Sequence, residues 1–179
     1  MSHEQTDVAR ELEPVVLELG KALFTCQCFE GTLILLLSLI SYEEADLDEG
    51  AFTAAIELFS QKTLGQLLKR IKEKIHPVKE NADPPDELDR CFKAGWNSRN
   101  WIVHEFLHTS IHDLSSPKGR LETIDKLVEA KQKVKHADVV ANRVLDMLLK
   151  KYGMSVAVLK TNSDRMWEHL NPSRPPLAS

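Results

Sequence analysis

Leu19, Leu23, Cys26, Glu30, Leu33, Leu37 and Ile40 recur in steps of four and three, which marks one face of a helix. Pro14 suits an early helical position, so a helix is predicted from there to about Ile40. Glu30 is the one charge on that stripe, and a carboxylate there needs a partner. It is read as one half of a structural hydrogen bond or ion pair, with the border of a polar site as the alternative. Tyr42 to Gly50 is an acidic linker, followed by a short helix from about Ala51 to Phe59. Thr63-Leu64-Gly65-Gln66 has the form of a capping box, Thr63 being the N-cap and Gln66 reaching back. The helix it starts would bury Leu64, Leu67, Leu68, Ile71 and Ile75 and expose Lys69, Arg70, Lys72 and Lys74, a basic face that reads first as solvated surface, with attraction of RNA as the alternative. His76-Pro77 ends it, and a loop containing Pro and Asn runs to Pro85.

Pro84-Pro85 open the next helix, whose apolar positions Leu88, Phe92, Val103, Phe106, Leu107, Ile111 and Leu114 carry it to about Leu114. Asn97-Ser98 could cap a second segment and break that helix just before Arg99. Ser115-Ser116-Pro117-Lys118-Gly119 reads as a turn. A long helix from about Leu121 to Tyr152 then turns Ile124, Leu127, Val128, Val134, Ala141, Leu145 and Leu148 inward, with Gly153 as its C-cap. Ser155 to Leu159 is ambiguous. No strand pattern and no repeat is present, so the predicted fold is all-α, an antiparallel up-and-down bundle of about four to five helices. It would occupy residues 1–160, with 161–179 a polar, Pro-rich tail that is expected to be partly disordered.

Composition narrows the functions without choosing among them. Of 179 residues, 42% are hydrophobic and 28% charged, an ordinary globular balance, and the net charge of −4 disfavours a protein that coats nucleic acid non-specifically. The polar, acidic opening predicts no secretory leader, and the longest apolar run, Leu33 to Ile40, is far short of a membrane span. Cys26, Cys28 and Cys91 are an odd count, and two residues apart on a helix make a poor metal pair. They read as buried, reduced thiols of a cytoplasmic protein.

The chemistry is concentrated in Asn97-Ser98-Arg99-Asn100-Trp101-Ile102-Val103-His104-Glu105-Phe106-Leu107-His108, where two signatures share His104. His104-Glu105-x-x-His108 is the spacing of a zinc peptidase helix, with Glu105 as general base. That site needs a third ligand; His112 lies on the same straight helix face and cannot complete a tetrahedron, which leaves Glu122 or Glu129. No strand is predicted to hold an extended peptide. The other signature is Arg99 and Asn100 followed by His104. Histidine moves protons near neutrality, arginine offers a permanent planar charge to a phosphate, and asparagine can orient either. On a regular helix Arg99 and His104 are about 140° apart. Asn100 falls with Val103, Leu107 and Ile111, at the edge of an apolar face that would meet a partner helix or a second subunit.

Arg99-Asn100 with His104, set late in an all-helical bundle behind the Glu30-bearing helix and the Thr63–Leu68 helix, resembles the HEPN superfamily over roughly Val15 to Leu114. The resemblance implies a metal-independent endoribonuclease acting as a homodimer, a toxin or antiphage effector. Its products would carry 2′,3′-cyclic phosphate and 5′-OH ends, and no cofactor and no membrane would be involved. It implies Arg99, Asn100 and His104 as catalytic residues, each motif being half of a site, with Glu30 and His108 as site neighbours and an antitoxin or regulatory protein as a further partner. A catalytically silent HEPN-like dimer serving as a binding module is the second reading, and the zinc peptidase the third.

Overall fold

The computed structural model describes residues 3–44, 49–75, 85–151 and 153. The centre of the acidic linker, the loop after Ile75, Ser155 to Leu159 and the C-terminal tail lie outside the described residues. Within them the chain is helical and forms no strand: α1 His3–Glu44, α2 Glu49–Ser60, α3 Leu64–Ile75, α4 Pro85–Asn100, a π-helical turn Trp101–Glu105, α5 Phe106–Ser110, a 3-10 turn Asp113–Ser115 and α6 Pro117–Lys151.

The long helix α1 supplies the core with Val15, Ala22, Cys26, Phe29, Leu33, Leu36, Leu37 and Leu39. Its buried face is turned from the predicted stripe, so Leu23 ends on the rim, 37% exposed. Pro14 also lies inside the helix, not near its start. Proline removes one N–H and crowds the carbonyl four residues back. Side-chain ties to α6 hold the turns on either side of it: Arg120 Nη2 donates to Glu11 Oε2 at 2.6 Å, and Lys131 donates to Glu18. That hydrogen bond from Lys131 holds the Glu18 carboxyl below its ordinary range, against the opposing effect of burial.

Three ties, Glu11 to Arg120, Glu18 to Lys131 and Thr32 to Asp138 (2.7 Å), advance along both helices together, so α1 and α6 run in the same direction. The label antiparallel does not describe this pair. Small residues let the helices close up, for Ala22, Ala130, Ala137 and Ala141 are all buried. Where α1, α4 and α6 meet, a methyl added at Gly95 would come within 2.5 Å of the Ala137 Cβ and 3.6 Å of the Phe29 ring. This seam positions the end of α4. By length and composition α1 could cross a membrane, its best stretch reaching a mean hydropathy of 1.8, but 44% of that stretch is buried inside the fold.

Helix ends follow local chemistry. Gln66 Oε1 accepts from the Thr63 N–H at 3.0 Å and Thr63 Oγ1 accepts from the Gln66 N–H at 3.4 Å, the predicted capping box. Leu64, Leu67, Leu68 and Ile71 are buried as expected. Helix α6 begins earlier than the sequence suggests. Ser116 is its N-cap, in extended conformation, with Pro117 at the first helical position and Ser116 Oγ accepting from the Gly119 N–H at 3.1 Å. At the far end Gly153 takes a positive φ of 65° and its N–H reaches the Lys150 carbonyl at 3.2 Å, the predicted C-cap.

Candidate functional site

Helix α4 runs without a break through Asn97 and Ser98 to Asn100, so no cap interrupts it before Arg99. The disruption comes one residue after the Arg-Asn pair. There the Phe106 N–H bonds to the Trp101 carbonyl, five residues back instead of four. Such a turn is wider than an α turn and inserts one residue into the helix. Residues five apart now lie over one another, as residues four apart do in an α-helix. His104 therefore drops beneath Arg99 instead of pointing about 140° away.

The consequence is a connected set of side chains. Arg99 Nε donates to Glu30 Oε1 at 2.6 Å, and Arg99 Nη1 donates to Asn100 Oδ1 at 3.2 Å. The same Nη1 lies 3.0 Å from His104 Nε2. A guanidinium can only donate, so Nε2 accepts and the ring proton resides on Nδ1; the contact belongs to neutral histidine. Among the described residues Arg99 Nη2 bonds to nothing. The guanidinium is largely covered (18% exposed) while Glu30 keeps 31% of its surface, and His104 itself is exposed. The set holds a fixed cation against the one unprotonated ring nitrogen, so His104 can take up a proton only once that contact opens. Glu30 answers the question its charge posed in the sequence: it is an ion-pair partner and it borders the polar site.

Cys26 backs this pair. Burial pushes its thiol up to about 11, with the nearby Arg99 charge opposing that shift and Glu30 adding to it. The expectation of three buried thiols holds for Cys26 alone: Cys91 is half-buried, and Cys28, two residues on and so on the opposite side of α1, is exposed. Iodoacetamide at pH 8 is therefore expected to alkylate Cys28 in the folded protein and spare Cys26. Peptide mass spectrometry reads this, and equal labelling of the two would refute the placement of Cys26 behind Arg99.

Other expectations are corrected by the phase shift at the π turn. On a regular helix Val103 lies about 20° from Phe92 and would be inside with it. Instead Ile102, Phe106 and Ser110 are buried, and Val103, Leu107 and Ile111 form an exposed stripe, at 39%, 62% and 58%. Sequence periodicity carries no sign of an inserted residue, so this was not readable. Trp101 was not singled out from the sequence either. Within the turn its Nε1–H donates to Thr109 Oγ1 at 3.2 Å and its ring meets Phe106 edge-on.

His108 is exposed and is not drawn into the Arg99 cluster. Nor does it gain a zinc partner. Glu129 bonds Lys133 at 2.7 Å and Glu122 lies 3.7 Å from Lys118, so neither reaches His104 and His108. Among the described residues no three His, Cys, Asp or Glu side chains are grouped as ligands of one ion. Comparison with family models, with curated proteins and with solved structures finds no match to this chain.

Proposed function

We propose that the chain is a metal-independent endoribonuclease of HEPN type, working as a homodimer, with Arg99, Asn100 and His104 as its catalytic set. The observation that carries this reading is the 3.0 Å approach of Arg99 Nη1 to His104 Nε2, obtained by inserting a residue into the helix. Turns of this kind cluster at functional sites. In the proposed reaction the substrate phosphate draws Arg99 Nη1 off His104 Nε2, and the freed ring nitrogen removes the proton of a ribose 2′-OH, whose oxygen attacks the adjacent phosphorus. The 5′-oxygen leaves with a proton, giving 2′,3′-cyclic phosphate and 5′-OH ends. Arg99 holds the non-bridging oxygens and offsets the charge that gathers on them in the transition state. Asn100 and Glu30 keep the guanidinium plane oriented.

A second copy would supply the other acid or base. The exposed stripe Val103, Leu107, Ile111 runs alongside Asn100 and His104 and suits such an interface. Leu107→Glu is expected to leave the fold intact, convert dimer to monomer in sedimentation equilibrium, and reduce cleavage at least tenfold. A monomeric wild type, or a dimeric variant, would remove this element of the proposal. The same reading takes the helices as an up-and-down antiparallel bundle. With α4 through α5 taken as one arm, five arms alternating in direction bring the first and last parallel, as α1 and α6 are. The cytoplasmic location, the toxin or antiphage role and a regulatory partner belong to this proposal as well.

One observation favours the catalytically silent module: Glu30 neutralises Arg99 and covers one edge of its guanidinium. RNA cleavage by purified protein in excess chelator, wild type against Arg99→Ala and His104→Ala, decides between them.

A further inference from the structure

A recess of about 410 Å³ lies between the motif segment and α6, and none of Arg99, Asn100 or His104 lines it. That volume is within the range of small-ligand sites. Trp101 lines it, and its only donor is already spent on Thr109, so the indole contributes apolar surface and not a hydrogen bond. Ser110 is 1% exposed, lines the recess, and its hydroxyl bonds to nothing among the described residues. Ser98, 9% exposed, is in the same state, and the Asn97 amide adds two free donors and an acceptor. Neither hydroxyl is sealed from solvent, for the buried side-chain polar atom left without a partner among the described residues is Thr123 Oγ1, so both can exchange water for a polar occupant of the recess.

Charge selects among the occupants. Lys126 and Lys133 stand at the rim, but Lys126 bonds Asp113 at 3.3 Å and Lys133 bonds Glu129 at 2.7 Å. The rim is thus two neutral pairs, with no excess cation to attract a phosphate. What fits is planar, uncharged and rich in both donors and acceptors. We propose that this recess binds a nucleobase, stacked on Trp101 and read by Asn97, Ser98 and Ser110. Base stacking on an aromatic side chain does not require charge. The base would come from single-stranded RNA, which rests on the proposed ribonuclease activity, or from a free nucleoside, which does not.

The test measures binding without cleavage. A 2′-O-methyl oligoribonucleotide has no attacking hydroxyl; its binding is followed by fluorescence anisotropy, and binding of the four free nucleosides by saturation-transfer NMR. Trp101→Leu is expected to weaken binding about five- to a hundredfold, the range of one lost stacked base. Because Trp101 lies in the π turn, Asn97→Ala provides an exposed, fold-neutral second variant, with an expected loss of about two- to tenfold. Losses for the oligonucleotide assign the base to RNA; losses for nucleosides alone assign it to a free nucleoside, and either supports the site. Nucleosides that do not bind, together with oligonucleotide binding that is absent or is unchanged in both variants, would overturn it. Failure of the ribonuclease reading looks different: cleavage by Arg99→Ala and His104→Ala protein equal to wild type, whatever the recess binds.

Discussion

Replacing Gly119 with alanine should lower stability by about 3 kcal/mol, one of the larger losses open to a single methyl group. An added Cβ would stand 2.1 Å from the Asp113 carbonyl oxygen and within 2.9 Å of its carbonyl carbon and Cα. All three atoms are backbone, so no side chain can swing aside to make room. The turn that carries them is tied on several sides. Its Asp113 carbonyl accepts from the Ser116 N–H at 3.3 Å, Asp113 pairs with Lys126, and Arg120 Nη1 donates to the Leu114 carbonyl at 3.1 Å. Shifting the turn would disturb the N-cap of α6 and, through Arg120, the bond to Glu11. Alanine's better helix propensity recovers at most about 1 kcal/mol. For a domain of this size the net loss corresponds to a fall in Tm of about 6–12 °C, measured by circular dichroism. Gly20→Ala is the control: nothing lies within 4 Å of its added methyl, and stability should rise slightly. A Gly119→Ala protein melting with wild type would mean that the turn does not pack on α6 as described.

Gly119 also shows where sequence reading succeeds and fails. Thr63 and Gln66 act within one helical turn, so their spacing alone specified the cap. Ser116-Pro117-Lys118-Gly119 is equally local, but Ser, Pro and Gly serve turns as well as helix starts. Only the Asp113 backbone pressed against Gly119 explains why glycine is required inside the first turn of α6. On α1 the periodic stripe located the helix, yet its face was turned by the packing of Ala22 and Phe29 against α4 and α6, leaving Leu23 at the rim. At the site the residue types were legible and their geometry was not. Glu30 announced itself as a charge among apolar positions, whereas the π turn, which accompanies the burial of Ile102 and Phe106, leaves no periodic trace. The sequence reading therefore held Arg99 and His104 too far apart and Val103, Leu107 and Ile111 too far inside.

The turn makes the second large prediction specific. His104→Ala should reduce RNA cleavage about 10²- to 10⁴-fold, the usual contribution of a positioned acid or base, and Arg99→Ala about 10²- to 10³-fold through lost charge stabilisation. Neither change should unfold the protein. His104 is exposed, and Glu30, 31% exposed, can be rehydrated when its partner is removed, so circular dichroism should match wild type. Arg99→Lys should fail to restore activity. An ammonium cannot bond Glu30 through one edge and meet Asn100 and His104 through another, as the guanidinium fork does. Excess chelator should leave the wild-type rate unchanged. The double variant Arg99→Ala/His104→Ala should be little worse than the more damaged single one, because two groups that serve one transition state lose their effect together. Multiplicative losses would mean that they serve separate steps or separate sites. Cleavage persisting in both single variants would end the assignment of catalysis to this turn, and the contact between Arg99 and His104 would then be a structural tie on α4.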